Sequence, residues 1–264
     1  MYTFDYQRPA TLADAVKLHG ASDEASFLAG GQTLIPTLKQ RLRHASVVID
    51  LGAIADLKGI SVSGNTVTVG ATTCHADVAA SADIKRAIPA LAALASGIGD
   101  PQVRNCGTIG GSIANNDPAA DYPAAVVGLG ATVHTSKRTI TADDFFTGMF
   151  ETALEPGELV TKVSFPVPRR AAYMKFPNPA SRYAIVGVMV ADTSMGIRVA
   201  VTGAGPCVFR IPGMEQALTK SFVPSAIKGI AVPPGDLNGD IHATPEYRAH
   251  LIGVMAERAV AMIG

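Results

Sequence analysis

Two pairs of adjacent glycines limit what this chain can fold into more than any other feature: Ala29-Gly30-Gly31-Gln32-Thr33-Leu34 and Thr108-Ile109-Gly110-Gly111-Ser112. The first follows a short apolar run, Ser26 to Ala29, and precedes Leu34, Ile35, Leu38 and Leu42 at helical spacing. Pro36 falls in the first turn of that stripe, where a missing N–H breaks no bond, and Thr33 stands where a helix cap is expected. With Val47-Val48-Ile49-Asp50 as a second buried strand, the segment predicts a strand–turn–helix–strand unit. Glycines at the carboxyl end of a strand let backbone N–H groups approach a bulky anion, and a helix start adds partial positive charge. A phosphate or pyrophosphate suits such a turn, although Gly-Gly between strand and helix is also ordinary turn chemistry.

The second pair repeats the recipe and leads through Asn115 and Asn116 to Asp117-Pro118, which predicts a capped helix over about residues 118–127. Residues 97–123 show almost no periodicity, so this pair is expected in a long irregular loop of functional use. Two glycine loops in one domain can grip both phosphates of a dinucleotide. Asp121, early in the expected helix, is placed to accept a hydrogen bond from a ribose or ribityl hydroxyl; it reads equally as a first-turn carboxylate complementing the helix dipole. Gly31 is not followed by Gly-Lys-Ser/Thr, which excludes a P-loop. The G-x-G runs at Gly97, Gly128 and Gly203 lack the strand–turn–helix setting of a Rossmann fingerprint.

Elsewhere Thr11, with Asp14 three residues on, predicts a helix from about residue 12. Ile60 to Val62 and Val67 to Val69 alternate about Gly64-Asn65 and predict a hairpin. Pro89 opens a helix running to Ala95. Farther on, strands are expected over 159–165, 184–191 and 197–202, and helices over 213–218 and 245–262. Pro166, Pro168, Pro177 and Pro179 mark a domain boundary within 165–180, and Asp143-Asp144 reads as a solvated turn.

With 48% hydrophobic residues the chain can bury a sizeable core, and 22 basic against 22 acidic side chains leave no global field toward nucleic acid or an anionic membrane. No stretch approaches about 18 apolar residues, and the amino end lacks a signal-peptide pattern, so a cytoplasmic protein is expected. The cysteines, Cys74, Cys106 and Cys207, are too few and too dispersed for an iron–sulfur cluster. The histidines include no H-E-x-x-H pair, so no metal site is expected either.

Three ordered motifs carry a resemblance. They are Ala29-Gly30-Gly31-Gln32-Thr33-Leu34-Ile35-Pro36, then Pro101-Gln102-Val103-Arg104-Asn105 with Gly107 to Ser112, then Asp117-Pro118-Ala119-Ala120-Asp121. Together with Lys175-Phe176 and Pro179 to Gly187 they resemble the FAD-binding medium subunit of carbon monoxide dehydrogenases and related molybdenum hydroxylases. The flavin domain of xanthine dehydrogenase is similar.

The resemblance implies an α+β fold. A two-part α/β FAD-binding domain of the type shared with vanillyl-alcohol oxidase would span 1–170, in subdomains of about 1–53 and 54–170, and a C-terminal domain over 171–264 would hold a three-stranded antiparallel sheet and helices. It implies non-covalent FAD, with Leu28 to Leu34 and Thr108 to Ser112 about the pyrophosphate and Asn115 beside them. Asp121 would bind polar groups of the cofactor, Ile98 and Ile185 would lie near the flavin ring, and Lys175 would be a neighbour. Molybdopterin and 2Fe–2S clusters would reside only in partner subunits, one large and one small, the heterotrimer being dimerised and either free in the cytoplasm or peripheral at the inner membrane. No residue of this chain is nominated as a general acid or base. Two rival readings are a stand-alone FAD oxidase or reductase of the related fold and a flavin-free scaffold subunit. A partner-facing surface is expected to show exposed apolar area.

Overall fold

A computed structural model describes residues 1–264. The first strands, β1 (Asp5–Gln7), β2 (Ala25–Leu28) and β3 (Val47–Asp50), form a parallel sheet in the order β1-β3-β2. Two helices make its crossovers. In α1 (Leu12–Gly20) the hydroxyl of Thr11 accepts from the Asp14 amide at 3.2 Å, as the sequence signalled, and α2 (Leu34–Lys39) follows the first glycine pair. Ala15, Ile49, Leu51, Ile54 and Leu57 close a small core beneath this sheet.

A second sheet is antiparallel. The hairpin β4 (Ile60–Ser63) and β5 (Thr66–Gly70) turns at Gly64, and β6 (Thr132–Thr135) and β7 (Thr139–Thr141) form the far edge. A two-stranded ribbon, β8 (Phe146–Gly148) and β9 (Glu151–Thr152), intervenes before β10 (Val160–Pro166), which enters the centre to give the order β4-β5-β10-β6-β7. Between β5 and β6 run α3 (His75–Ala80), α4 (Ala82–Ala87), α5 (Pro89–Ser96), α6 (Pro101–Cys106), α7 (Ile109–Asn115) and α8 (Tyr122–Gly128), with α9 (Ala142–Phe145) after β7.

Residues 97–123 are therefore not the long irregular loop expected. Asp100 caps α6 by accepting from the Val103 amide at 2.8 Å, and Thr108 caps α7 by accepting from Gly111 at 3.1 Å. Each helix is too short to show the periodicity that a sequence window detects. The expected helix over 118–127 starts later, at Tyr122 with Asp121 at its cap position, because Asp117 folds into a side-chain turn and accepts from the Ala119 amide at 2.9 Å instead.

The third sheet is antiparallel, in the order β11 (Arg170–Pro177), β12 (Ala184–Thr193), β13 (Gly196–Thr202), β14 (Phe209–Arg210). It has four strands rather than the three expected; β14 is two residues long and pairs only at Ala200 and Val201. The helices α10 (Pro212–Lys220), α11 (Pro224–Ile227) and α12 (Pro245–Ile263) complete the chain.

Every residue of β12 is buried, and strand alternation explains how. Val186, Val188 and Val190 pack into the core beneath α12, while Met189 and Ala191 join the core built around α5 and α8. The third sheet is thus a shared wall, covered on both faces. Asp143, exposed as expected but in the short helix α9 rather than a turn, strengthens the junction. It pairs with the buried Arg198 and, at 3.6 Å, with Arg210, while Arg198 also donates to the Val127 carbonyl at 2.8 Å. Replacing Arg198 with Ala removes these bonds and strands a buried carbonyl, and is expected to cost about 1–3 kcal/mol; a denaturant titration monitored by circular dichroism measures it.

His75, at the start of α3, is buried with its ring 5.3 Å from that of Tyr122 and its Nδ1 without a partner. Burial, assisted by Arg104, pushes its pKa down from 6.5 to about 4. Below pH 6.5 the unfolded chain takes up a proton that the folded one refuses, so stability present above 6.5 drains away as the pH falls toward 4. The full effect is roughly 3 kcal/mol. Melting curves between these limits are expected to fall less steeply for His75→Gln than for the wild type, and equal slopes would refute this assignment.

Candidate functional site

A cavity of about 700 Å³ opens where the three sheets meet. Its walls are the turn after β2, the first turn of α7, the residues preceding α8, and the turn at Ser181 to Tyr183 that leads into β12. This volume lies within the range of small-molecule and cofactor pockets.

The first glycine pair forms one end. No protein group accepts from the amides of Gly30, Gly31, Gln32 or Thr33, so four consecutive donors stand unpaired on the cavity wall. Gly31 has φ +71°, the left-handed conformation in which a side chain is disfavoured. Gly30 is needed for another reason: a Cβ there would lie 2.2 Å from the Cys106 carbonyl oxygen and 2.6 Å from the Gly107 Cα. Thr33 does not cap α2 with its side chain as expected, since its backbone is already helical and its hydroxyl makes no cap bond. A helix of six residues also adds little dipole, so the free amides are what this end offers to a ligand.

The second pair behaves differently from expectation. Ile109 donates to the Thr73 carbonyl at 3.2 Å, Gly110 to Ala71 at 2.8 Å, and Gly111 to the Thr108 hydroxyl, while Ser112 continues the helix by donating to the Thr108 carbonyl. These four amides are spent inside the fold, which leaves the Thr108 amide as the segment's unpaired backbone donor. Its glycines permit contact instead: a Cβ on Gly110 would stand 2.5 Å from that of Ala71. Thr108, Gly110, Gly111, Ser112 and Asn115 still line the cavity, whereas Ile109 is fully buried in the core.

Asp121 lines the cavity and is 4% exposed. Both of its oxygens are engaged: the Tyr173 hydroxyl donates to Oδ1 at 2.6 Å and the Lys175 ammonium to Oδ2 at 2.9 Å. Burial raises its pKa, and Lys175 and Tyr173 act against that rise. Lys175 does not itself line the cavity but serves as the counter-ion of Asp121.

Ala29 to Leu34 and Ile98 are on the wall, the backbone at Ile98 being braced by Arg104, which donates to the Ile98 and Gly99 carbonyls at 2.8 and 2.9 Å. Leu28 packs behind the first turn against Leu38, Ala45 and Val48, off the cavity. Ile185 is also absent from it and lines a smaller adjoining cavity of about 350 Å³ with Asp117 and Arg248.

Sequence reasoning missed Arg43, Phe150 and Arg182 on the wall. Phe150 and Arg182 have φ of +57° and +62°, and the other non-glycine residues with positive φ, Arg41 and Asn116, each lie within two residues of the wall. Such strain collects at functional sites. No residue type announces it, since neither Phe nor Arg favours this conformation. Tyr183, nearly half exposed, also borders the cavity, and its hydroxyl is pushed up by burial and by Asp117 and Asp121.

The comparisons with known proteins agree with this geometry. Residues 2–168 match the family described as the FAD binding domain in molybdopterin dehydrogenase. The carbon monoxide dehydrogenase medium chain of Hydrogenophaga pseudoflava is 34% identical, the alignment covering 97% of this chain and 96% of that one. The nicotine 6-hydroxylase medium subunit of Paenarthrobacter nicotinovorans is 33% identical, with 98% and 96% covered. A structure of reconstituted carbon monoxide dehydrogenase from Oligotropha carboxidovorans contains a chain that superposes with a TM-score of 0.91 at 33% identity, over 98% of this chain and 97% of that one. The unpaired amides and the cavity they face thus sit within a fold already fitted to a flavin dinucleotide, and the chain belongs to the family of FAD-binding domains of molybdopterin dehydrogenases, as an FAD-binding medium subunit of the molybdenum hydroxylase type.

Proposed function

We propose that the chain holds one FAD non-covalently in the large cavity and carries electrons from an iron–sulfur partner to an external acceptor. The observation that carries this reading is the run of four free amides from Gly30 to Thr33, facing a cavity of about 700 Å³. A consecutive run of free amides forms a concavity that suits an anionic guest, here the pyrophosphate. Ser112 and Asn115 supply further polar contacts along the wall, Ile98 shields the ring, and Asp121 meets polar groups of the cofactor. Bound there, FAD supplies the electron-transfer chemistry, and the chain supplies position and electrostatics.

In this reading residues 1–170 hold the cofactor, in parts of about 1–53 and 54–170, and residues 171–264 close the cavity through Tyr183. Molybdopterin chemistry belongs to a large subunit and the 2Fe–2S clusters to a small one, the heterotrimer being paired into a dimer. Leu42, Phe150 and Tyr183 expose large apolar or aromatic surface beside the cavity, where a partner or acceptor can approach the ring. No helix is long and apolar enough to cross a membrane.

Purified chain is expected to show flavin absorption bands that pass into the supernatant on acid precipitation; colour left in the pellet would indicate a covalent link instead. Gly30→Ala, which drives a methyl group into the Cys106 carbonyl, is expected to weaken FAD binding at least tenfold, about 1.4 kcal/mol, in a fluorescence titration. In the assembled complex, removal of FAD is expected to leave the clusters reducible by substrate while turnover with the acceptor stops. Unchanged turnover would refute the electron-carrying role.

A further inference from the structure

Tyr173 belongs to none of the motifs that led to the cavity, yet it holds one of the two oxygens of Asp121. Strand β11 places Tyr173 and Lys175, two residues apart, on the same face. From there both side chains reach the cap position of α8, the hydroxyl at 2.6 Å from one carboxylate oxygen and the ammonium at 2.9 Å from the other. The ammonium also donates to the Gly97 carbonyl at 3.0 Å, just past the end of α5. Gly187, opposite Lys175 in the ladder, makes room for this reach: a Cβ there would lie 2.1 Å from the Tyr173 hydroxyl. Neither Tyr173 nor Lys175 lines the cavity, whereas Asp121 does.

We propose that Tyr173 and Lys175 are positioning residues for the flavin, holding Asp121 as a fixed carboxylate beside the cofactor and so setting how its charge bears on flavin reduction. The inference rests on the FAD reading above. Burial alone would drive the Asp121 carboxyl toward its neutral form, and the cation and hydroxyl oppose this. Two donors also leave each oxygen a lone pair for a cofactor group. The other titratable groups around Asp121 are few. Tyr122, next in its helix, and Tyr183, from the turn before β12, are both pushed up by burial and by Asp121, so they stay neutral. His75 lies against Tyr122 with the two rings tilted and is neutral above about 4. Asp117, raised by burial, lies outside the clamp.

Reduction adds electrons to the ring, so a nearby negative charge lowers its potential and a positive one raises it. In the wild type Asp121 and Lys175 cancel. Tyr173→Phe removes a donor to the charged form, so Asp121 takes up a proton at higher pH and Lys175 is left uncompensated. Lys175→Met does the opposite, leaving a lone carboxylate until the pH falls far enough to protonate it.

The test is the midpoint potential of FAD bound to the full-length chain, measured across the whole pH range in which the chain stays folded. The Tyr173→Phe curve is expected to lie above the wild type at the acid end and to meet it at the alkaline end. The Lys175→Met curve is expected to lie below the wild type at the alkaline end and to converge at the acid end, with Lys175→Arg restoring the wild-type curve. FAD affinity should fall no more than about tenfold in Tyr173→Phe, the size of one hydrogen bond to a charged group. A purely structural role changes affinity or stability but leaves the curves parallel, and parallel curves in both variants would overturn the proposal while leaving FAD binding intact. A wild-type chain that takes up no FAD would overturn the flavin reading itself, and this inference with it.

Discussion

The contact on which the cavity depends is one of backbone against backbone. The turn at Gly30 lies directly on the Cys106–Gly107 peptide, closer than any side chain permits. That contact docks the small parallel sheet onto the helices of the second body and fixes how the amides of Gly30 to Thr33 face inward. On its other side the Cys106–Gly107 segment is tied to α3, since His75 donates to the Gly107 carbonyl at 2.9 Å. The second glycine segment follows at once, the amides of Ile109 and Gly110 bonded to the Thr73 and Ala71 carbonyls that precede α3. The two glycine motifs therefore have different tasks: one presents free donors, and the other spends most of its donors to build the platform beneath them.

Charged side chains, Arg43, Arg182, Asp117, Glu158 and Asp121, line the cavity, but the turn after β2 offers it only uncharged amides. Four free amides and a helix-start carboxylate face the cavity, while most ion pairs that tie the bodies together lie away from it, as at Asp143 with Arg198. Amides carry no net charge and lose little when desolvated beside a partner, whereas a buried lysine against the ligand would bring its own desolvation cost and a proton equilibrium. At the buried wall carboxylates Asp121 and Glu158 the paired cations, Lys175 and Arg138, sit behind the carboxylate rather than on the wall.

How much of this was legible in the sequence divides by range. Features that act within a few residues were readable: the Thr11 cap, the hairpin at Gly64, and the glycine turn after β2. The long apolar strand β12 was also readable, although alternation does not disclose that both its faces are covered. Elements of six or seven residues, such as α6 and α7, fell below the length at which a helical period rises above chance. The destination of the amides at Ile109 and Gly110 was invisible, because the carbonyls they meet, Thr73 and Ala71, lie in a different stretch of chain. The same holds for Tyr173, whose partner Asp121 is 52 residues away.

The family resemblance and the physical reading therefore contributed different things. Resemblance could mark Asp121, Lys175 and the second glycine segment as belonging to a cofactor site, but it could not separate residues that face the ligand from residues that hold others in place. That separation follows from counting donors and acceptors. An amide already bonded to Ala71 cannot also bond a phosphate well, and an ammonium bonded to Asp121 and the Gly97 carbonyl keeps one donor of three. Hydrogen-bond accounting turns a list of marked positions into two populations, a sparse set with free groups on the cavity wall and a larger frame that fixes their geometry.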